Sequence, residues 1–149
     1  MLRYQRSTAV EFGASITPGT DGSVDLVDAE AAGSDLCLLD SLDPAVVTGK
    51  VVLCRRGGNG RVEKSLAVLQ AGGVGMILYN NSDSDNLFTD NFWVPTVHVD
   101  FTEGSAIKDY IASHDDPQAK IHRTGKRTEI DDDPSITIFL CGAEGDIAL

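Results

Sequence analysis

Two short apolar segments in the middle of the chain enclose a segment with helical periodicity. Residues 51–54 and 74–79 are almost continuously apolar, which is typical of strands covered on both faces. The apolar positions between them recur at helical spacing and are Val62, Leu66 and Leu69, flanked by Ala67, Val68 and Ala71. Gly72 and Gly73 then supply a helix stop. A strand, a helix and a strand with short connections form a βαβ unit, so the two strands are predicted to be parallel and the fold to be α/β.

Further strands are predicted on both sides of this unit. Residues 4–16, 24–27, 94–99 and 119–121 are rich in β-branched and apolar side chains and are bounded by turn residues. Residues 135–140 also have strand character but no obvious place in the domain. We expect this last segment to form a terminal arm.

A second helix is predicted to begin at Asp100. Asp100 and Glu103 have the spacing of a capping box, in which the side chain at the helix start accepts a hydrogen bond from the backbone of the first turn. Ile107, Tyr110 and Ile111 recur at helical spacing and form the apolar face of this helix.

The composition is that of one soluble globular domain. The chain has 149 residues, of which 42% are hydrophobic, and no apolar stretch approaches the ~20 residues that cross a bilayer. Twelve basic and 23 acidic side chains give a net charge of -11, and a surface this negative repels phosphate backbones and anionic lipids. We therefore expect neither a nucleic-acid partner nor a membrane partner. The first residues lack the apolar run of a secretory signal.

Three cysteines leave two pairing states open. None of Cys37, Cys54 and Cys141 has a CxxC neighbour or a histidine at ligand spacing, so no zinc site is predicted. One disulfide with one cysteine left over is the simplest arrangement. Buried free thiols, as in a cytosolic chain, are the alternative.

Several segments together resemble a known family. They are residues 42–57 (Leu-Asp-Pro-Ala-Val-Val-Thr-Gly-Lys-Val-Val-Leu-Cys-Arg-Arg-Gly), 61–65 (Arg-Val-Glu-Lys-Ser), 71–80, 94–99 and 104–107. In order and spacing they are similar to the protease-associated (PA) domain of subtilisin-like serine proteases. The likeness covers about residues 10–121.

The resemblance implies a fold and a domain arrangement. The family has a swivelling β/β/α fold, a compact barrel-like pair of sheets flanked here by two main helices. Residues 10–121 would form the PA domain, after an N-terminal arm (1–9) and before a partly flexible C-terminal extension (122–149). Some relatives carry a cysteine pair at the positions of Cys37 and Cys54, which implies a disulfide here.

The resemblance also implies a function without catalysis. We expect a secreted interaction module that recruits substrate to, or gates access to, the active site of a subtilisin-like serine protease. Its partners would be a protein or peptide substrate and the catalytic domain of the parent protease, and a homodimer is compatible with the family. The alternative is a PA domain of a cargo-binding sorting receptor or membrane-anchored protein.

No catalytic, metal or cofactor site is predicted. The chain lacks the Gly-Thr-Ser motif of these proteases and a Gly-x-Ser-x-Gly elbow, so it is not expected to be an enzyme by itself. His98 lies beside valines, as a half-buried strand histidine would. The glycine-rich loop before the first helix is not a phosphate loop, because Glu63 stands where glycine is required. The acidic residues 83–86 are not an EF-type loop, since Leu87 and Phe88 replace the oxygen ligand and the glycine.

The candidate binding residues lie in two loops. They are Arg55, Arg56, Asn59 and Arg61 in the first loop and Asn80, Asn81, Phe92 and Trp93 in the second. Trp93 is the one tryptophan of the chain, at the end of a long polar loop, where a large aromatic residue either anchors a partner or covers the sheet edge. If it is exposed, the two loops could frame a peptide groove. Asn80 also begins an Asn-x-Ser glycosylation sequon.

Overall fold

The computed structural model describes the backbone of residues 10–122 and 136–141 and the side chains of residues 13–122. The strands of this part are β1 Val10–Ala14, β2 Val24–Asp28, β3 Val51–Arg55, β4 Gly75–Tyr79, β5 Thr96–Val99, β6 Gln118–Ile121 and β7 Ile136–Cys141. The helices are α1 Pro44–Val47, α2 Arg61–Gln70 and α3 Phe101–Ser113, with a short 3₁₀ helix at Ala29–Ala32. Within these ranges, no helix has the length and apolarity needed to cross a membrane.

The strands form a closed barrel in the order β1-β5-β4-β3-β2-β6-β7, which closes where β7 pairs with β1. β3 and β4 are parallel, from Val51 opposite Gly75 to Arg55 opposite Tyr79, so the predicted βαβ unit is confirmed. β2 and β5 extend this parallel sheet on its two sides. A barrel of strands with two main helices is the predicted α/β architecture.

The last strand is part of this barrel. β7 runs parallel to both β1 and β6 and lies between them. The prediction that residues 135–140 form a terminal arm is therefore wrong for the strand itself, because a strand pattern does not reveal partners that are distant in the sequence. The predicted N-terminal arm (1–9) lies outside the described residues, as do residues 123–135 and 142–149 of the predicted extension.

Two core clusters lie on the two faces of the central sheet. The cluster on the α3 side contains Leu26, Val51, Leu53, Ile77, Tyr79, Val97, Val99, Ile107, Tyr110, Ala119 and Ile121. The cluster on the α2 side contains Ala29, Ala32, Cys37, Leu42, Val47, Val52, Cys54, Ala67, Val68, Ala71, Met76, Leu78 and Val94. Successive residues of β3 and β4 alternate between the clusters, as the two-residue period of a strand requires. Both strands are thus buried on both faces, as predicted.

The buried face of α2 differs from the expected stripe. Its buried side chains are Lys64, Ser65, Ala67 and Val68. Leu69 is 44% exposed, and Val62 and Leu66 are only half-buried. Hydrophobicity alone favours the larger residues for the core, but the orientation of α2 on the sheet places Ala67 and Val68 in the core cluster instead. The largest apolar side chains of α2 therefore lie at or near the surface.

α3 packs closely on β4 at Gly104. A Cβ atom built on Gly104 would lie 2.2 Å from Cβ and 2.4 Å from Cγ of Tyr79, closer than side chains can approach. Tyr79 is buried in the core cluster on that side, so it has little room to give way.

We predict that Gly104→Ala lowers the free energy of unfolding by about 2 kcal/mol, because the overlap with Tyr79 outweighs the better helix propensity of alanine. Ser105→Ala, the neighbouring substitution on the same helix, should change it by less than about 0.5 kcal/mol. Urea denaturation of both variants measures the difference. Equal transition midpoints would contradict the close contact.

Candidate functional site

A disulfide ties the segment before α1 to the end of β3. Cys37 and Cys54 are bonded, with their Cα atoms 5.7 Å apart, and both are fully buried. The pairing implied by the family resemblance is confirmed. Beside it, the Asp35 carbonyl accepts a hydrogen bond from Arg55 N at 2.7 Å, and its carboxylate accepts one from Arg55 Nε at 2.7 Å. Three links therefore join this segment to the start of the basic loop, residues 55–61.

The arginines of the basic loop contact the polar loop, residues 80–93. Arg61 donates two hydrogen bonds to the carboxylate of Asp90, at 2.7 and 3.2 Å. The ring of Phe88 lies against two guanidinium groups, with its centroid 4.3 Å from Cζ of Arg61 and 5.2 Å from Cζ of Arg56. The two loops are thus held together by charge pairing and by cation–π contacts.

Asn80 is the centre of a buried polar network. Its Oδ1 accepts hydrogen bonds from Nε2 of His98 at 2.7 Å and from Nη1 of Arg56 at 3.3 Å. Its Nδ2 donates to the carbonyls of Asp85 at 3.1 Å and Asn86 at 3.4 Å. Because Asn80 is fully buried and both ends of its amide are engaged, a glycan on its Nδ2 is incompatible with this fold.

His98 is a neutral structural histidine. Its Nδ1 accepts a hydrogen bond from the backbone N–H of Phe88 at 2.9 Å, so the ring proton lies on Nε2, which donates to Asn80. Burial lowers the pKa of His98 to about 4, and the charges of Arg56 and Arg61 act in the same direction. His98 lies in a strand, as predicted, but it is fully buried rather than half-buried.

The remaining polar candidates lie around the disulfide. Nη1 of Arg55 donates to Oδ1 of Asn81 at 3.1 Å, and the Arg55 side chain is 38% exposed. Nδ2 of Asn59 donates to Oε1 of Glu63 at 3.3 Å. The structure thus brings most of the predicted polar residues together, but it engages them with one another and with neighbouring loops.

Phe92 and Trp93 take opposite roles. Phe92 is half-buried and packs against the core cluster on the α2 side. Trp93 is 58% exposed, and its backbone N–H donates to the hydroxyl of Ser65 on α2 at 3.0 Å. Of the two predicted roles, Phe92 therefore covers the core, and Trp93 is exposed and available to a partner.

Trp93 is hydrogen-bonded through its backbone to α2, a helix that carries apolar residues outside the core. Leu69 lies one helical turn after Ser65, the residue that holds Trp93, and is 44% exposed. Val62 and Leu66 are half-buried residues of the same helix. Together we call these residues the α2–Trp93 surface: Val62, Leu66, Leu69 and Trp93. It combines apolar side chains of two segments on a protein with strongly negative net charge.

The acidic residues of the polar loop have structural partners. The carboxylate of Asp83 accepts hydrogen bonds from N and Oγ1 of Thr102, both at 2.8 Å, and so reinforces the start of α3. Hydrogen bonding to Thr102 lowers the pKa of Asp83. In the portion of the chain that the structure describes, no cluster of three or more side chains is arranged to hold a metal ion.

Three residues that sequence reasoning did not select prove central to these loops. They are Lys64, Phe88 and Asp90. Phe88 and Asp90 lie in the polar loop, where a lone aromatic or acidic residue gives no sign of its partner. From the sequence, Lys64 would be expected to be an exposed lysine of an amphipathic helix, yet it is fully buried.

We predict that stability falls as the pH drops from about 6.5 to about 4, in part through His98. The unfolded chain protonates His98 near pH 6.5, whereas the folded chain resists protonation until about pH 4, so the unfolded state takes up the proton first. The contribution is at most about 3 kcal/mol. Replacing His98 by Gln, which can donate and accept but does not titrate in this range, should flatten that part of the profile. Denaturation midpoints of both proteins at pH 4, 5, 6 and 7 measure the pH dependence of stability. Identical slopes of midpoint against pH would contradict the contribution of His98.

Comparison with known proteins agrees with this architecture. A family model described as "PA domain" matches residues 22–107. Two curated relatives from Arabidopsis thaliana are the subtilisin-like proteases SBT1.4, 46% identical over 106 residues, and SBT1.6, 42% identical over 109 residues. The matches cover 70% and 72% of this chain but only 14% of each protease.

A solved structure with a similar fold is a zinc aminopeptidase from Bacillus subtilis. It superposes with a TM-score of 0.50 at 22% identity and covers 65% of this chain and 24% of that one. At this identity the likeness concerns the fold. The family model, by contrast, matches more than half of the chain, including β2 to β5 and the loops that hold Trp93. This protein belongs to the PA domain family.

Proposed function

We propose that this PA domain is a non-catalytic module that binds protein or peptide substrates for a subtilisin-like serine protease outside the cell. Bound substrate would be delivered to the protease active site, or its access would be gated there. The similarity to subtilisin-like proteases over about 70% of the chain supports this context over a cargo-binding receptor. The small share of each protease that is matched, 14%, supports an accessory role.

The observation that carries the proposal is the α2–Trp93 surface. A tryptophan that is 58% exposed gains contact area when a partner covers it, and aromatic residues of this kind dominate many protein interfaces. The backbone at Trp93 is held in place, because its N–H donates a hydrogen bond to Ser65 and the preceding Phe92 packs against the core. A partner therefore meets a tryptophan whose backbone position is already set, which lowers the entropic cost of binding.

The arginines support a partner with apolar rather than acidic contact residues. Arg55, Arg56 and Arg61 are paired with acidic side chains, at N–O distances of 2.7, 3.9 and 2.7 Å. An acidic peptide would have to displace these internal partners before it could bind an arginine. The α2–Trp93 surface requires no such exchange, so we expect apolar side chains of an extended or unfolded polypeptide to bind there.

We expect the chain to bind fluorescently labelled casein without cleaving it. Trp93→Ala should weaken this binding at least about tenfold, because the substitution removes the central aromatic contact. Phe101→Ala is a matched control, since Phe101 is an aromatic residue of α3 that is 42% exposed. Fluorescence anisotropy measures both variants. Cleavage of casein by the purified chain would contradict a non-catalytic role. Equal affinities of both variants for casein would contradict binding at the α2–Trp93 surface.

Recruitment can be tested in a protease. The corresponding segment of the 46% identical relative would be replaced by this domain, with and without Trp93→Ala. We expect the substitution to raise KM for casein several-fold while kcat/KM for a short chromogenic peptide stays unchanged, since only the large substrate reaches the surface. Unaltered casein kinetics would count against recruitment.

A further inference from the structure

Lys64 is a fully buried lysine with three oxygen acceptors. Its Nζ donates hydrogen bonds to the carbonyl of Leu36, to the carbonyl of Gly57 at 2.7 Å and to Oδ1 of Asn59. An ammonium group has three N–H donors, so these acceptors satisfy it completely. Burying a lysine is costly unless it is satisfied in this way, and a residue that meets that cost has a role that a surface lysine lacks.

The position of Lys64 excludes direct contact with a substrate. Its side chain has no exposed surface, and each of its donors already has an acceptor. Burial lowers the pKa of Lys64 to about 8, with the charge of Arg55 acting in the same direction and Asp35 and Glu63 opposing it. A reactive lysine would need access as well as a lowered pKa, and access is missing here. The role must therefore be exerted through the groups that Lys64 holds.

Those groups belong to two separate segments. Leu36 lies next to the disulfide-bonded Cys37, whereas Gly57 and Asn59 lie in the basic loop. Gly57 has a φ of +117°, a conformation that other residues rarely adopt, so the loop bends sharply where it meets Lys64. Asn59 is oriented for its role, since its Nδ2 donates to Glu63 and leaves Oδ1 facing Nζ.

The neighbours of Lys64 on α2 hold the polar loop. Arg61 binds Asp90, and Ser65 accepts the hydrogen bond of Trp93 N. Four residues of the first turns of α2, Arg61, Glu63, Lys64 and Ser65, thus contact the disulfide segment, the basic loop and the polar loop. Lys64 is the member that contacts both the disulfide segment and the basic loop, and all three of its donors are used inside the protein.

We propose that Lys64 is a positioning residue: its buried ammonium fixes the disulfide segment and the basic loop against the first turns of α2, and this sets the place of Trp93. The inference rests on the function proposed for the α2–Trp93 surface. It predicts that the amide hydrogen bonds of Arg55 and Trp93 depend on a buried side chain that is hydrogen-bonded to neither residue.

The test is amide hydrogen exchange in the whole chain with Lys64→Met, which keeps an unbranched apolar side chain as far as Cε but removes the ammonium donors. We expect the amides of Arg55 and Trp93 to exchange about tenfold faster, while the amides of β4 keep their protection. Lys108→Met is the matched control, because Lys108 binds Asp28 and Glu30 near the surface instead. That variant should leave the Arg55 and Trp93 amides unchanged.

A second variant separates the ammonium group from simple packing. In Lys64→Ala, added n-propylammonium can occupy the space of the lost side chain, and n-propanol at the same concentration provides a neutral group of equal length. We expect the ammonium compound to slow exchange at Arg55 and Trp93 and to raise Tm, and the alcohol to do neither. Equal effects of the two compounds would overturn the proposal.

The two proposals fail independently. Unchanged exchange at Trp93 in Lys64→Met, whether or not Arg55 changes, would refute a positioning role and leave the casein experiment untouched. Unchanged casein binding in Trp93→Ala would refute the proposed function, while the exchange result for Lys64 would stand. If both hold, Lys64→Met should weaken casein binding several-fold with Trp93 still present.

Discussion

Successive residues of β3 and β4 point to opposite sides of the central parallel sheet, and both sides are apolar. Each face of such a sheet must be covered by another element, and α2 and α3 cover the two opposite faces. The register of β3 and β4 places Arg55 opposite Tyr79, so the basic loop and the polar loop leave the sheet side by side. That register also brings Arg56 next to Asn80, and their side chains are hydrogen-bonded at 3.3 Å.

The polar residues at this end of the sheet act as scaffold. Asn80, His98 and Arg56 form a network with no free surface at its centre, and Phe88 and Asp90 connect the polar loop to it. A buried network of this kind is favourable only when its members are satisfied, and then it specifies one arrangement. Arg55 and Arg61, which the sequence offered as ligand-binding residues, form ion pairs that hold loops together. These basic residues therefore do not form a basic surface on a chain of net charge -11.

α2 has three kinds of contact. Ala67 and Val68 pack in the core cluster, the polar side chains at 61, 64 and 65 hold loops, and the larger apolar residues at 62, 66 and 69 are half-buried or exposed. A helix that served only the core would place Leu66 and Leu69 inward. Leu69 is exposed instead and Leu66 is half-buried, which leaves apolar area that the proposed partner would cover.

The sequence by itself determined the elements whose signals are local. The apolar runs of β3 and β4, the βαβ connection and the cap at Asp100 depend on neighbouring residues, and each is present as predicted. What depends on distant partners could not be read in this way: the pairing of β7, the inward face of α2, the burial of Lys64 and the opposite fates of Phe92 and Trp93. In each case the residue's environment is supplied by a segment remote in the chain. Periodicity shows that a residue belongs to a helix or strand, but only the packing of the barrel decides which side of it is covered.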